Sequence, residues 1–233
     1  MTSPARRHQM RILAAQAAAE AAPGGEVKGS AYELMLAQLY EHRQVLKGIQ
    51  SIERKIEAKR AFLPVYDDYL AGALAGGQGG EDKVLTSVMV WHLDVGNFER
   101  GLELGAYALE HKLPLPDQYN RDIATLLIDE TSTAALAGKL VGDEALQVLG
   151  QVLAMTNDHD APDQARAKLH KAIGYALIGK TATTEPDITA LPLPVATMAM
   201  TNLARAHELF DKVGVKKDME RLERRLKAPP GTD

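Results

Sequence analysis

The stretch Val84–His111, VLTSVMVWHLDVGNFERGLELGAYALEH, indicates most clearly how this chain folds. Its first part is strongly apolar as far as Val95, and its second part, from Phe98 onward, again carries leucine and alanine at helical spacing. Gly96 and Asn97 interrupt the apolar pattern between the two parts. Two apolar helices joined by a short glycine-containing turn are typical of a helical hairpin. We therefore expect an all-α protein.

The composition agrees with that expectation and excludes several classes of protein. The 233 residues include only three Phe, seven Tyr and one Trp, which disfavours a β-sandwich. The chain has no cysteine, so thiol nucleophiles, iron–sulfur clusters and cysteine-bound zinc are excluded. No run of 18 apolar residues and no apolar signal-peptide core is present, so we expect a soluble, unexported protein without a membrane partner.

Turn signals divide the rest of the chain into segments. We expect a long, coiled-coil-like N-terminal helix followed by a loosely solenoid-like bundle of helical hairpins. The expected segments are 1–29, a basic helix with a flexible linker; 30–63, a long oligomerisation helix; 64–180, a helical core; 181–194, a connector; 195–227, C-terminal helices; and 228–233, a disordered tail.

The segment 30–63 opens with a capping box, Ser30 and Glu33, and continues as a broken heptad of apolar residues. A single helix of this length would extend on the order of 50 Å. Such a helix suits packing against another chain, although a core helix with a solvated cationic face is the alternative. The predicted self-association residues are Tyr32, Met35, Leu39, Leu46, Ile49 and Ile56.

Charge is distributed unevenly along the chain. Residues 1–63 carry 10 basic and 6 acidic side chains, residues 64–204 carry 9 and 19, and residues 205–227 carry 8 and 5. Basic ends suggest contact with a polyanion or an acidic partner, and arginines in the first turns of a helix oppose its dipole unless an anion binds there. A frayed, solvated N-terminus is the alternative. The residues predicted to contact such a partner, with DNA as one candidate, are first Arg6, Arg7 and Arg11, and second Arg43, Lys47, Arg54, Lys55 and Lys59.

The sequence carries no motif that demands catalysis. Gly80 is followed by Glu81 and Asp82, so the glycine-rich segment 76–80 is not a phosphate-binding loop, and no Gly-x-Ser-x-Gly elbow is present. Acidic residues between 117 and 163, such as Asp122 and Asp129, would form a metal-dependent nuclease site only if they converged. We therefore assign no catalytic residue, metal ligand or cofactor.

Five segments together resemble the small terminase subunits of cohesive-end tailed phages, a family often labelled "terminase, endonuclease subunit". They are TSPARRHQMR at Thr2–Arg11, YELMLAQL at Tyr32–Leu39, VMVWHLDVGNFERGLELGAYALEHKLPLP at Val88–Pro116, PDQARAKLHKAIGYAL at Pro162–Leu177, and GVKKDMERLERRLK at Gly214–Lys227. Their order and spacing extend over nearly the whole chain. The chain departs from the family at the C-terminus, where it lacks a long Lys/Arg-rich tail.

The resemblance implies viral DNA packaging in the cytoplasm of the host bacterium. A homo-oligomer, expected to be a ring, would recognise the packaging site on double-stranded phage DNA. It would present that DNA to the terminase large subunit, which supplies ATPase and nuclease activity. We expect the C-terminal helices to dock that partner, through Leu222, Arg224, Arg225 and Leu226. The alternatives are an intrinsic metal-dependent endonuclease and a helical scaffold that binds protein and not DNA.

Overall fold

The computed structural model describes residues 3–116 and 121–227, and within these ranges the chain is all-α, as predicted. Eleven α-helices and one short 3-10 turn are joined by loops. The β-structure of the described residues is limited to an isolated bridge between Glu26 and Glu81. The chain divides into two compact units, Met1–Ile123 and Ala124–Asp233. This boundary falls inside the predicted helical core at 64–180.

The first unit is built from six of the helices. They are α1 (Pro4–Glu20), α2 (Ser30–Gly48), α3 (Ile52–Phe62), α4 (Asp67–Gly76), α5 (Lys83–Asp94) and α6 (Phe98–Glu110), with the 3-10 turn Leu63–Val65 between α3 and α4. Helix α5 is buried along nearly its whole length, as its apolar sequence predicts. It packs against α6, and α1 packs against α4.

The prediction of one continuous helix over 30–63 is wrong, because the chain breaks between α2 and α3. Ile49 adopts an extended conformation, with φ −94° and ψ 125°. The Ser51 hydroxyl then accepts a hydrogen bond from the Arg54 amide at 3.3 Å and begins a new helix. A serine side chain that can cap a helix competes with continuation of the preceding one. The result is a corner between helices of 19 and 11 residues.

A buried carboxylate ties α4 to α5 within the first unit. Asp82 accepts hydrogen bonds from the Val84 and Leu85 amides, at 2.8 and 2.9 Å, and so caps α5. It also accepts one from the Tyr69 hydroxyl of α4, at 2.6 Å. Burial raises the pKa of Asp82, and these three hydrogen bonds act in the opposite direction.

The second unit contains the remaining five helices. They are α7 (Ile123–Leu136), which starts one residue before the boundary, α8 (Gly142–Thr156), α9 (Asp163–Ile178), α10 (Leu193–Leu209) and α11 (Lys216–Lys227). Between α9 and α10 the predicted connector is mostly exposed, although Ile188 is buried in the core of this unit. The tail predicted at 228–233 lies outside the described residues.

Candidate nucleic-acid interface

The first two turns of α1 project beyond the rest of the first unit. The Ser3 hydroxyl caps the helix by accepting a hydrogen bond from the Arg6 amide at 3.3 Å, and Pro4 occupies the first turn. Every residue from 3 to 9 is exposed, and burial begins only at Ala14. Arg6 and Arg7 therefore lie on an ordered but unpacked piece of helix that contains no acidic residue. We call residues 3–9 the α1 overhang.

Two glycines of α4 allow the remainder of α1 to approach very closely. A Cβ atom on Gly72 would lie 2.2 Å from the carbonyl oxygen of Arg11, and one on Gly76 would lie 2.2 Å from that of Ala15. Ala14, Ala17 and Ala18 are buried on α1. Small residues four positions apart on both helices bring the two backbones together, and this spacing is the sequence signal that we missed.

The linker between α1 and α2 is not the free, flexible segment that we predicted. The Gly24 amide donates to the Gly79 carbonyl at 2.9 Å, and the Val27 amide donates to Glu81 at 3.1 Å. The Glu81 amide returns a bond to the Gly25 carbonyl at 2.7 Å. These bonds satisfy backbone groups of both segments. As a result α1 is held at both its packed face and its C-terminal connection.

The contacts of α1 also fix its direction relative to α4. Arg11 lies beside Gly72 and pairs with Asp68 at 3.4 Å, whereas Ala15 lies beside Gly76. The two helices therefore run side by side in the same direction. The α1 overhang consequently lies at the end of the unit where α4 begins and where α3 and the 3-10 turn end.

The second set of predicted DNA-binding residues divides into paired and unpaired side chains. The Arg43 guanidinium donates to the Ser87 hydroxyl at 2.8 Å, and Lys59 forms an ion pair with Asp94. Lys47 and Arg54 are exposed and Lys55 is half-buried, and none of the three has an ion pair within the described residues. Within the second set, Asp94 therefore neutralises Lys59, whereas Arg43 keeps its charge but is held against the Ser87 hydroxyl.

An aromatic cluster anchors the C-terminal end of α3. The His42 ring stacks on Phe62 with 3.8 Å between ring centroids, and its Nδ1 lies 2.7 Å from the Tyr66 hydroxyl. Trp91 of α5 packs against the same rings. Burial lowers the pKa of His42, and nearby Glu41 opposes that shift. No residue of α3 is buried, and its first three residues, Ile52, Glu53 and Arg54, are exposed.

The predicted self-association residues lie mostly inside the first unit. Tyr32, Met35, Leu39 and Leu46 are buried in the chain's own core, and Ile49 and Ile56 are half-buried. The four buried residues therefore cannot form a contact surface in the folded chain, and that part of the prediction is wrong. The apolar periodicity marked the inward face of α2, whereas the outward face carries Leu34, Tyr40 and Val45, which are 51%, 65% and 52% exposed.

The predicted docking residues belong to the core and edge of the second unit. Leu222 is fully buried, Leu226 packs against the same core, and Arg225 donates to the Leu191 carbonyl at 3.0 Å. Arg224 alone among them is exposed, with its Nε bonded within α11. The prediction that Leu222 contacts a partner is wrong, because the apolar face of α11 covers its own unit.

A buried carboxylate fixes α11 to α9. Asp218 accepts hydrogen bonds from the Tyr175 hydroxyl and from Lys180, both at 2.7 Å. Burial raises the pKa of Tyr175, as do the hydrogen bond to Asp218 and its charge. Burial lowers the pKa of Lys180, but the hydrogen bonds to Asp218 and Glu185 outweigh that effect and raise it overall. Arg221 extends the network to the connector through Glu185.

The acidic residues considered for a metal site do not converge in the described part of the chain. Residues 3–116 and 121–227 contain no group of three or more His, Asp or Glu side chains placed to hold a metal ion. Asp129, for example, lies 3.3 Å from the Lys168 ammonium, which is the geometry of an ion pair. Across the same residues, no helix is long and apolar enough to cross a membrane.

Comparison with known proteins agrees with the family suggested by the sequence. Residues 36–164 match the model of the family described as "Phage small terminase subunit". The chain is also similar to the "Terminase, endonuclease subunit" of Escherichia phage P2, with 38% identity over 232 residues that cover 99% of this chain and 88% of that protein. No solved structure matches the chain. The chain belongs to the phage small terminase subunit family and so has a role in viral DNA packaging.

Proposed function

We propose that this subunit recognises the packaging site on double-stranded phage DNA and presents that DNA to the terminase large subunit in the host cytoplasm. The observation that carries the proposal is the α1 overhang. Arg6 and Arg7 are exposed there and have no ion pair within the described residues. Positive side chains at a helix N-terminus weaken the helix, and a bound phosphate removes that penalty.

The overhang is a better DNA contact than the corner between α2 and α3. The exposed cations Lys47 and Arg54 of that corner share α3 with Glu53 and Glu57, which are also exposed. Carboxylates repel phosphates at the distances over which a helix contacts a duplex. The overhang has no carboxylate of its own, and Asp68, which pairs with α1 in the described part of the chain, neutralises Arg11 rather than Arg6 or Arg7.

Because α1 is rigidly packed on α4, the α1 overhang can hold bound DNA in a fixed position on the first unit. Because α1 packs on Gly72 and Gly76, a phosphate bound by Arg6 and Arg7 is held at a fixed place on the first unit. Few cations per chain give weak binding alone. An oligomer adds such contacts through effective concentration, so a modest charge per chain suffices.

We also propose self-association, through the outward face of α2 in place of the buried face. Leu34 and Val45 are eleven residues apart, which places them on one side of the helix three turns apart.

Light scattering tests this self-association directly. The double change Leu34→Asp and Val45→Asp should convert the oligomer to a monomer while the helical circular dichroism is kept, because both side chains are already exposed. Ile12→Asp, at an exposed apolar position of α1, is the matched control. If the unmodified protein is a monomer, or if the double variant keeps the oligomer, this surface is wrong.

Docking of the large subunit is proposed for the exposed side of α11 instead of its apolar face. Lys216, Lys217 and Arg224 are exposed there. Changing all three to Glu should weaken co-purification with the large subunit. Unchanged co-purification would exclude this side of α11.

A further inference from the structure

A cavity of about 360 Å³ opens beside the C-terminal end of α5, in the first unit. Its wall includes Arg60 from α3, Asp67 from α4, His92 from α5 and Asn97 at the start of α6. The cavity thus lies at the end of the unit where α3 ends and α4 begins, the same end as the α1 overhang.

His92 is the unusual member of this wall. The residue is only 4% exposed, and neither ring nitrogen has a hydrogen-bond partner within the described residues. Buried polar groups in folded proteins are nearly always bonded, because an unpaired buried donor loses its interaction with water without replacement. An orphaned histidine in the wall of a cavity therefore points to a partner that enters the cavity.

The neighbouring polar groups are mainly donors. Arg60 uses one nitrogen to donate to the Val95 carbonyl at 3.1 Å, which leaves its other N–H groups for the cavity. The Asn97 side-chain oxygen accepts from the Arg100 amide at 3.4 Å, so its amide nitrogen is available to donate. The first amides of α6 add the positive end of a helix dipole. These groups match the oxygens of an anion.

We propose that this cavity binds a phosphodiester, with Arg60, Asn97 and the His92 ring as its donors. Asp67 restricts the charge that can enter, because it contributes a carboxylate to the cavity wall. A monoanion is repelled less than a dianion by that carboxylate, so a phosphodiester is favoured over inorganic phosphate. A DNA backbone phosphate is the source that we favour.

The other charges near the site form pairs among themselves. Arg100 pairs with Glu103 along α6, and Lys59 pairs with Asp94. Burial is the largest effect on the pKa of His92, which is lowered to about 4. Arg100 lowers that pKa further, and Glu103 raises it. The ring is therefore neutral at pH 7 and donates one N–H without carrying a charge.

Dimethyl phosphate, titrated into the full chain, tests the site without requiring DNA binding. The His92 ring resonances in NMR spectra should shift saturably, and sodium chloride at the same ionic strength should not reproduce the shift. Arg60→Gln should weaken binding by about tenfold, because a charged donor is lost. Arg54→Gln, on the exposed face of α3, is the matched control and should bind like the unmodified protein.

Two results would overturn the site: a shift that chloride reproduces, or binding that is the same in Arg60→Gln and the unmodified protein. Arg60→Lys, which keeps the charge, should bind with intermediate affinity. This variant distinguishes loss of the charged donor from loss of folding in Arg60→Gln. The DNA source rests on the proposed function and is tested separately. A duplex should compete with dimethyl phosphate for His92. If a duplex binds while the His92 resonances stay unchanged, the cavity still binds a phosphodiester, but a DNA backbone phosphate is not its ligand.

Discussion

Substitution by alanine should have opposite effects on stability at Gly76 and Gly150, because only Gly76 lies against another helix. In Gly76→Ala the new Cβ would lie 2.2 Å from the Ala15 carbonyl oxygen and 2.8 Å from two further backbone atoms. Backbone cannot rotate away as a side chain can, so the helices must separate. Overpacking of this kind costs about 1–3 kcal/mol. Gly76 is the last residue of α4, so little helix propensity is gained in return.

Gly150→Ala is the matched control. Gly150 lies inside α8, and a Cβ placed there meets nothing within 4 Å. Only the propensity gain remains, so the variant should be more stable by up to about 1 kcal/mol. The two variants should therefore differ by about 1–4 kcal/mol in the free energy of unfolding. Urea unfolding followed by circular dichroism measures that difference. Equal stabilities, or a more stable Gly76→Ala, would refute the packing of α1 on α4.

Two further predictions concern buried polar groups. Because the folded pKa of His92 is about 4, below the usual value of 6.5, its contribution favours the folded state above pH 6.5 and is lost as the pH falls towards 4. Between pH 7.5 and 4.5, His92 should account for a decrease of about 2.5 kcal/mol in the free energy of unfolding. In urea titrations, His92→Phe should lack this contribution to the decrease. Asp218→Ala leaves the Lys180 charge without its buried partner, so thermal unfolding should show a loss of about 3 kcal/mol in stability. The control Glu223→Ala, on the exposed side of α11, should change stability by less than about 0.5 kcal/mol.

Local sequence signals predicted the helices well, because apolar periodicity and turn residues act over a few positions. The sequence predicts C-terminal helices over 195–227, and the structure has them at Leu193–Leu209 and Lys216–Lys227. The break at Ile49–Ser51 was missed because the apolar pattern continues across it, while the cap at Ser51 depends on one side chain. Periodicity also identifies an apolar face without saying what covers it, and so Leu46 and Leu222 were assigned to other chains.

Charge in the sequence was a weaker guide to the candidate interface than charge in the structure. Arg6, Arg43 and Lys59 are all basic in the sequence, yet Asp94 neutralises Lys59 and Ser87 holds the Arg43 guanidinium, both from distant parts of the chain. The orphaned nitrogens of His92 are likewise invisible in sequence, because they result from which groups fail to face the ring.

The most direct test of the proposed DNA contact is the salt dependence of binding to a duplex that carries the cohesive-end site. Fluorescence anisotropy should show weaker binding for Arg6→Ala with Arg7→Ala, and a slope of log affinity against log salt reduced by about 0.9 for each lost phosphate contact. The double change Lys216→Ala with Lys217→Ala removes the same charge from exposed positions of the second unit and should leave the slope unchanged. Unchanged affinity and slope in the arginine variant would contradict the assignment of the α1 overhang, and no salt-dependent binding by the unmodified protein would favour a scaffold that does not bind DNA.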